Sequence, residues 1–436
     1  MKRIFTHTHF SLATAFSLAF LLAVSPKLSG QSLNLLHTVT FPFVTNGFGD
    51  VGSSDCWGWT DQAGVDYAII GNVDNVAFVR ASDGAILDQV QAASSFDPYY
   101  HRDMVTHGNY CYVVAEMGGV NDGLQIIDLS YLPDSVHFVK SWDNNGQMER
   151  SHNIDIDSGS GHLYIEGDGN GGIDIVSIQD PENPVKVGFI PVPGVHDMHA
   201  RNDTLWVAEG SVPAFSIYDV TDKGNPSLLG RVQDPSFGYC HNIWPSDDGR
   251  FFFTTEETSF KSVKVWDASN MANLVKRGEY LAPNNLAHNV HVMGKYLFIS
   301  HYTSGVTIVD WSNPDVPVEV AAYDTYPQHD ISDFFGCWGT YPYTNNGYVY
   351  ASNFEGKLFI LEWDETVSTE APIADEPGLA YPNPFTSVTN IPFTLGPSLR
   401  ALRNGHVIDE EARRASAGDE FKLKEYFLSR GWQGDR

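Results

Sequence analysis

Leu124-Gln125-Ile126-Ile127-Asp128-Leu129 is a phrase that the chain repeats. It returns as Ile173-Asp174-Ile175-Val176-Ser177-Ile178, Phe215-Ser216-Ile217-Tyr218-Asp219-Val220, Val263-Lys264-Val265-Trp266-Asp267-Ala268, Val306-Thr307-Ile308-Val309-Asp310-Trp311 and Leu358-Phe359-Ile360-Leu361-Glu362-Trp363. A weaker copy is Val76-Ala77-Phe78-Val79-Arg80-Ala81. The copies stand roughly 40 to 55 residues apart, the period of a propeller blade.

A second set of residues keeps phase with the first. His101, His152, His196, His241 and His288 each precede a run of strand type, and Trp57 and Trp338 hold the matching places in the first and last copies. Between anchor and phrase lies a turn, as in Ser158-Gly159-Ser160-Gly161 or Asn345-Asn346-Gly347, then a second strand such as Tyr296-Leu297-Phe298-Ile299. After the phrase comes a turn, often with proline (Asn313-Pro314), and a fourth strand such as Val185-Lys186-Val187-Gly188-Phe189-Ile190. Short β-branched and aromatic runs between Gly, Pro, Asn and Asp give an all-β chain. Seven anchors with four strands each predict a seven-bladed β-propeller over residues 32–364. The last unit shows only three strands. Leu33–Phe41, which precedes the first unit, supplies the fourth and closes the ring, removing two open sheet edges.

The ends read differently. Residues 1–30 carry Lys2 and Arg3, an apolar run and then Ser25-Pro26-Lys27, the pattern of a secretory signal peptide. Residues 365–380 form an acidic linker with Pro372 and Pro377, and 381–436 a short C-terminal appendage whose composition turns charged and helical from Arg400 on. The net charge of −28 disfavours nucleic acid and anionic lipid as partners. The expected location is extracellular or at a bacterial outer-membrane surface, without a transmembrane segment. Of the four cysteines Cys56, Cys111, Cys240 and Cys337, only the first and last share equivalent sites in neighbouring blades, so Cys56–Cys337 is the one pairing with a positional argument.

The repeated Ile-x-Asp phrases, with His-Asn dipeptides at 152–153, 241–242 and 288–289, resemble the LVIVD-repeat propellers, in particular the exported choice-of-anchor B group. That resemblance implies a fold and an exported location and no defined activity. Tyr381-Pro382-Asn383-Pro384-Phe385 and the following Ile391–Leu395 resemble the start of the type A C-terminal sorting domain of type IX secretion, which implies surface attachment. The later strands of that domain are not recognisable.

The chemistry rests on the anchors. Each anchor histidine is followed 13 to 15 residues later by a second ligand-type residue: His101 by Glu116, His152 by Glu166, His196 by Glu209, His241 by Glu256 and His288 by His301. The first strand of a blade lies nearest the channel, and side chains opposed across a hairpin stand about 5 Å apart. Five blades would thus aim imidazole and carboxylate at one rim, the donor set of a divalent transition metal. The selenium-binding proteins, which look related, use channel histidines in this way. A structural ring of hydrogen-bonded imidazoles and a metal-free catalytic site are the competing readings. The expected function is therefore a propeller binding an unidentified protein, peptide or glycan through the channel-rim face. The alternatives are a metal-dependent oxidase or hydrolase and a structural surface-layer component.

Smaller features are expected to be structural. His199 and His291 fall on the other strand face. Asp155-x-Asp157-x-Gly159 and Gly167–Gly172 are loosely calcium-loop-like, but the first coincides with a hairpin turn and lacks the glutamate at position twelve that an EF-hand needs. Trp57, Trp59, Trp338 and Tyr341 would form either core or an aromatic patch. Neither a phosphate-binding loop nor a dinucleotide fingerprint occurs.

Overall fold

The computed structural model describes residues 31–46, 49–91, 101–116, 123–148, 150–167 and 171–365, together with two two-residue strands, Leu402–Arg403 and His406–Val407. The signal peptide, the linker beyond residue 365, the sorting-type motif at 381–395 and residues 168–170 lie outside the described residues. The paired strands at 402–407 stand where a helical segment is expected from Arg400 on. No helix among the described residues is long and apolar enough to cross a membrane.

Seven four-stranded antiparallel sheets make up the domain. Blade 1 runs from Ser53 to Gln91, blade 2 from Arg102 to Trp142, blade 3 from Ile154 to Ile190, and blade 4 from Asp197 to Gln233. Blade 5 runs from Cys240 to Tyr280 and blade 6 from Asn289 to Tyr323. Blade 7 takes Cys337–Tyr341, Tyr348–Asn353 and Lys357–Asp364 from one end of the chain and Ser32–Thr40 from the other. Leu33 pairs with Trp363 and Val39 with Leu358, so the N-terminal strand closes the last blade as expected.

The repeated phrase is the third strand of every blade. Its alternate residues point to opposite neighbours, which is why nearly every position in it is apolar. Six of the seven fourth strands meet it through a register shift, as at Ile175/Val176 and Ile308/Val309, and the seventh carries its shift between Leu35 and His37. Each such bulge adds twist, and a propeller blade is a strongly twisted sheet. Where three fourth strands cross the next blade the side chain is absent. A Cβ on Gly188, Gly230 or Gly278 would stand 1.8, 2.3 or 2.4 Å from the backbone oxygen of Lys223, Met271 or Pro314.

The core is divided between the blade interfaces. Ile154, Ile156 and Leu163 of blade 3 pack on Val105, Tyr112 and Ile126 of blade 2. Val349 and Leu361 of blade 7 pack on Phe298 and Ile308 of blade 6, and Tyr350 and Ile360 of blade 7 pack on Ala68 and Val79 of blade 1. Burial of this kind stabilises by about 25 cal/mol per Å² of apolar surface removed from water, and a closed ring leaves no interface unpaired.

Polar side chains near the channel tie one blade to the next. The Asp103 carboxylate accepts the Ile154 amide at 2.9 Å, Asp155 the Ala200 amide at 2.6 Å, and the Asn242 oxygen the Val290 amide at 3.0 Å. Asp157 accepts the amides of Gly159 in its own turn and Asp203 in the next blade, so this Asp-x-Asp stretch is turn and blade-clip chemistry. Asp66 does the same for Asn345 and Asn346, joining blade 1 to blade 7. Cys56 and Cys337 are both buried free thiols, so the pairing considered from their positions is not made.

Candidate functional site

The inner strands deliver three layers to the central channel. At one mouth the anchor rings touch in sequence: His101 to His152 at 3.9 Å between centroids, His152 to His196 at 4.5 Å, His196 to His241 at 4.0 Å, and His241 to His288 at 4.2 Å. Trp338 closes the circle, 4.5 Å from His288 and 5.8 Å from His101. Together with these rings, Asp55, Asp103, Asn153, Asp197 and Asn289 line a small polar cavity with room for about one water. The opposite end is filled by Trp57, His199, Trp244, His291, Tyr341 and Tyr343, with Trp244 3.8 Å from His199 and 4.2 Å from His291.

The layering corrects one expectation. Trp338 lies within a register shift between Cys337 and Gly339, as His241 lies between Cys240 and Asn242. In blade 1 the shift falls earlier, between Ser53 and Cys56, so Trp57 pairs regularly with Ile69. Trp57 thus ranks with Trp244 and His291, three residues past the anchors, at the other end of the channel. Trp59 instead donates to the Gly108 carbonyl at 2.8 Å, so these aromatics do not form one patch. His199 and His291 are buried in the far layer, where His199 Nδ1 stands 2.9 Å from Asp155.

The second members of the expected pairs divide. Glu116 reaches forward to the next blade, its carboxylate 3.0 Å from His152 Nδ1. Glu166 accepts the His152 backbone amide at 3.2 Å. Glu209 is held in a fork by Arg231, at 2.7 and 2.6 Å, and Glu256 binds Lys264 and the Gly238 amide. His301 Nε2 accepts the Ala282 amide at 3.2 Å. The register shift at His241 sets Glu256 opposite Cys240, turned away from the ring, and leaves the next residue, Glu257, to approach it. Glu257 lies 3.7 Å from His241 Nε2 and 3.8 Å from His288 Nε2, and the Tyr302 hydroxyl donates to it. The acidic doublet Glu256-Glu257 was the available signal. A one-residue bulge decided between its members, and spacing alone does not reveal a bulge.

Two rings are oriented by the backbone. His196 Nδ1 donates to the His241 carbonyl at 2.9 Å, and His288 Nδ1 to the Trp338 carbonyl at 2.6 Å. A donating Nδ1 fixes the tautomer that leaves an Nε2 lone pair. His288 Nε2 is buried without a hydrogen-bond partner, as are His101 Nδ1 and His241 Nδ1. Buried polar atoms of this kind call for a partner.

Burial dominates the electrostatics. It pushes His101, His196 and His241 well below the ordinary imidazole value, with neighbouring imidazoles adding to the shift, and takes His288 to about 3. His152 is the exception. Burial works against its charge, but the hydrogen bond and charge of Glu116, with Glu166 and Asp197, outweigh it and raise the pKa. Burial also raises Glu257 to about 7, Asp55 to about 6 and Asp197 to about 7. Four of the five imidazoles are therefore held neutral, the form that ligates metals, whereas His152 is biased toward its protonated form and burial biases the Glu257 carboxyl toward its neutral acid. Two disjoint sets have ligand atoms within 4.8 Å of one another: His241, Glu257 and His288, and His101, Glu116 and His152.

Residues 100–134 and 286–325 match the LVIVD repeat. These are blade 2 and blade 6 segments, each spanning an anchor histidine and the phrase that follows it. None of the curated proteins matches the sequence. Among solved structures, the WD40 domain of Neurospora crassa Pan2 is similar with a TM-score of 0.55 at 12% identity, over 76% of this chain and 95% of that one. Chaetomium thermophilum Raptor is similar with a TM-score of 0.57 at 11% identity, over 76% of this chain and 29% of that one. Likeness at such identity concerns the fold. The chain is a seven-bladed propeller bearing LVIVD repeats.

Proposed function

We propose that the chain is an exported propeller module that binds its ligand at the histidine mouth of the channel, and that the mouth holds a divalent transition-metal ion on His241, His288 and Glu257. One observation carries this reading. Two imidazole Nε2 atoms stand 3.7 and 3.8 Å from one carboxylate, too far apart for hydrogen bonds. His241 faces one oxygen of that carboxylate and His288 the other, and one ligand atom from each of the three residues lies within 4.8 Å of the rest, a spacing that small side-chain shifts would close around an ion with bonds of about 2.1 Å. The donor set fits as well. His288 is turned by its backbone bond, His241 and His288 are buried, and the Tyr302 hydroxyl orients Glu257 from outside.

Two histidines and one carboxylate leave a coordination position free for water or an incoming ligand, which would face the open mouth. Aromatic rings crowd the other end of the channel, with Trp244 between His199 and His291, which favours entry by way of the histidine mouth. Export is supported by the leader-like pattern of residues 1–30 and attachment by the sorting-type motif at 381–395. Surface exposure of Tyr239, Phe260 and Phe334 suits an apolar or aromatic partner.

Elemental analysis of the full purified chain tests the proposal. At least one equivalent of a transition metal is expected, lost in His288→Ala while the far-ultraviolet spectrum of a β protein remains. A metal-free wild-type protein that takes up none from added zinc would leave only the metal-free binding module.

A further inference from the structure

We infer that the channel mouth is a two-ion centre, with a second divalent transition-metal site formed by His101, His152 and Glu116 on the arc of the ring opposite His241, His288 and Glu257. The inference deepens the proposed metal-binding function and rests on it.

The ring order supplies the geometry. Going round the mouth the six rings are His101, His152, His196, His241, His288 and Trp338, each touching the next. In a six-membered circuit the His101–His152 edge lies across from the His241–His288 edge. Each edge has its own carboxylate, and neither carboxylate is shared. Glu116 arrives from just past the second strand of blade 2 and Glu257 from just past the second strand of blade 5. His196 and Trp338 separate the two sets, one at each side. Ligand atoms within each set lie inside 4.8 Å of one another.

Burial and satisfaction support the second set independently. His101 is 5% exposed and its Nδ1 has no hydrogen-bond partner. Its ring stacks on that of His152, with 3.9 Å between centroids and 15° between planes. Glu116, the third member, is a third exposed and reaches the mouth from the solvent side. Such a set gives two nitrogens and one oxygen, again three protein ligands with an open position. Two such ions facing one mouth would suit a ligand able to touch both, such as a carboxylate or phosphate oxygen pair. The alternative occupant of this edge is a proton, bridging His152 and Glu116 across their 3.0 Å contact.

The two sites can be counted separately. Apo full-length protein is titrated with Zn²⁺ at pH 7.5, and bound zinc is measured after desalting in the wild type, Glu116→Gln and Glu257→Gln. Two equivalents are expected in the wild type and one in each variant. One equivalent in the wild type that Glu257→Gln removes and Glu116→Gln leaves would overturn the second site while keeping the first. Two equivalents undiminished by Glu116→Gln would overturn the assignment of its ligands. No bound zinc would overturn both the inference and the metal reading. Because Glu116 is partly exposed, its variant is expected to melt with the wild type, and His101→Gln gives a second variant with the same expected loss of one equivalent.

Discussion

His288 Nδ1 donates to the Trp338 carbonyl across 2.6 Å, and this bond joins the inner strand of blade 6 to that of blade 7 at the channel mouth. It also turns the other ring nitrogen toward Glu257. One hydrogen bond thus serves both packing and ligand orientation, so the structural and metal-binding readings of the ring are not exclusive. Replacing His288 by Ala is expected to cost about 1–3 kcal/mol of stability, because the buried Trp338 carbonyl loses its donor. Metal content should fall as well. Chemical denaturation with metal analysis of the same sample checks both. Full stability with full metal content would contradict the role assigned to His288.

Glu209 gives the opposite expectation. Its carboxylate is fully buried and held by the Arg231 fork, on the side of the strand away from the mouth. Arg231→Met should leave an unpaired buried carboxylate and destabilise by about 3 kcal/mol. Metal binding should be unchanged. If Arg231→Met instead alters metal stoichiometry, Glu209 belongs to the site after all.

Ring closure by the N-terminal strand makes a third prediction. Residues 32–40 pair along the whole of 357–364. A chain lacking residues 31–41 exposes that edge and the apolar side chains under it, including Leu358 and Leu361. It should aggregate during refolding where the intact chain does not, as light scattering would register. A monomeric product with an unchanged melting temperature would show that closure contributes nothing.

The far layer predicts a pH dependence. Burial takes His291 to a pKa of about 3, with His199 contributing; Trp57, Trp244 and Tyr343 surround the ring. The unfolded chain binds a proton there near pH 6.5, whereas the folded chain resists it until about pH 3. The stabilisation is therefore complete above pH 6.5 and is lost progressively as the pH falls toward 3. Each such histidine gives a slope of up to about 1.4 kcal/mol per pH unit. His291→Phe should flatten the acid side of the stability profile by up to that amount. An unchanged slope in denaturation curves between pH 6 and 4 would refute the assignment.

What the sequence disclosed follows from what repeats. The phrase from Leu124 to Leu129 recurs because every blade needs a third strand apolar on both faces, and the anchor histidines recur because every inner strand starts at the same mouth. Residues that depend on a blade's departures from the repeat were hidden. Glu257 replaces Glu256 at the ring because of a bulge at His241, and Trp57 leaves the ring because blade 1 bulges earlier than blade 7. Glu116 serves the neighbouring blade's His152, a contact between units that in-register spacing within one hairpin cannot express. The carboxylate layer of Asp55, Asp103 and Asp197 was also missed, since an Asp beside an anchor looks the same in sequence whether it faces the channel or the turn.

The central claim is that a metal ion sits between His241, His288 and Glu257. The most direct measurement is anomalous X-ray scattering at the zinc edge from crystals of the zinc-loaded protein. The account predicts a peak about 2.0–2.2 Å from a nitrogen of His241, a nitrogen of His288 and an oxygen of Glu257. Crystals at full zinc loading with no peak inside the ring, or with peaks only at surface carboxylates, would contradict it.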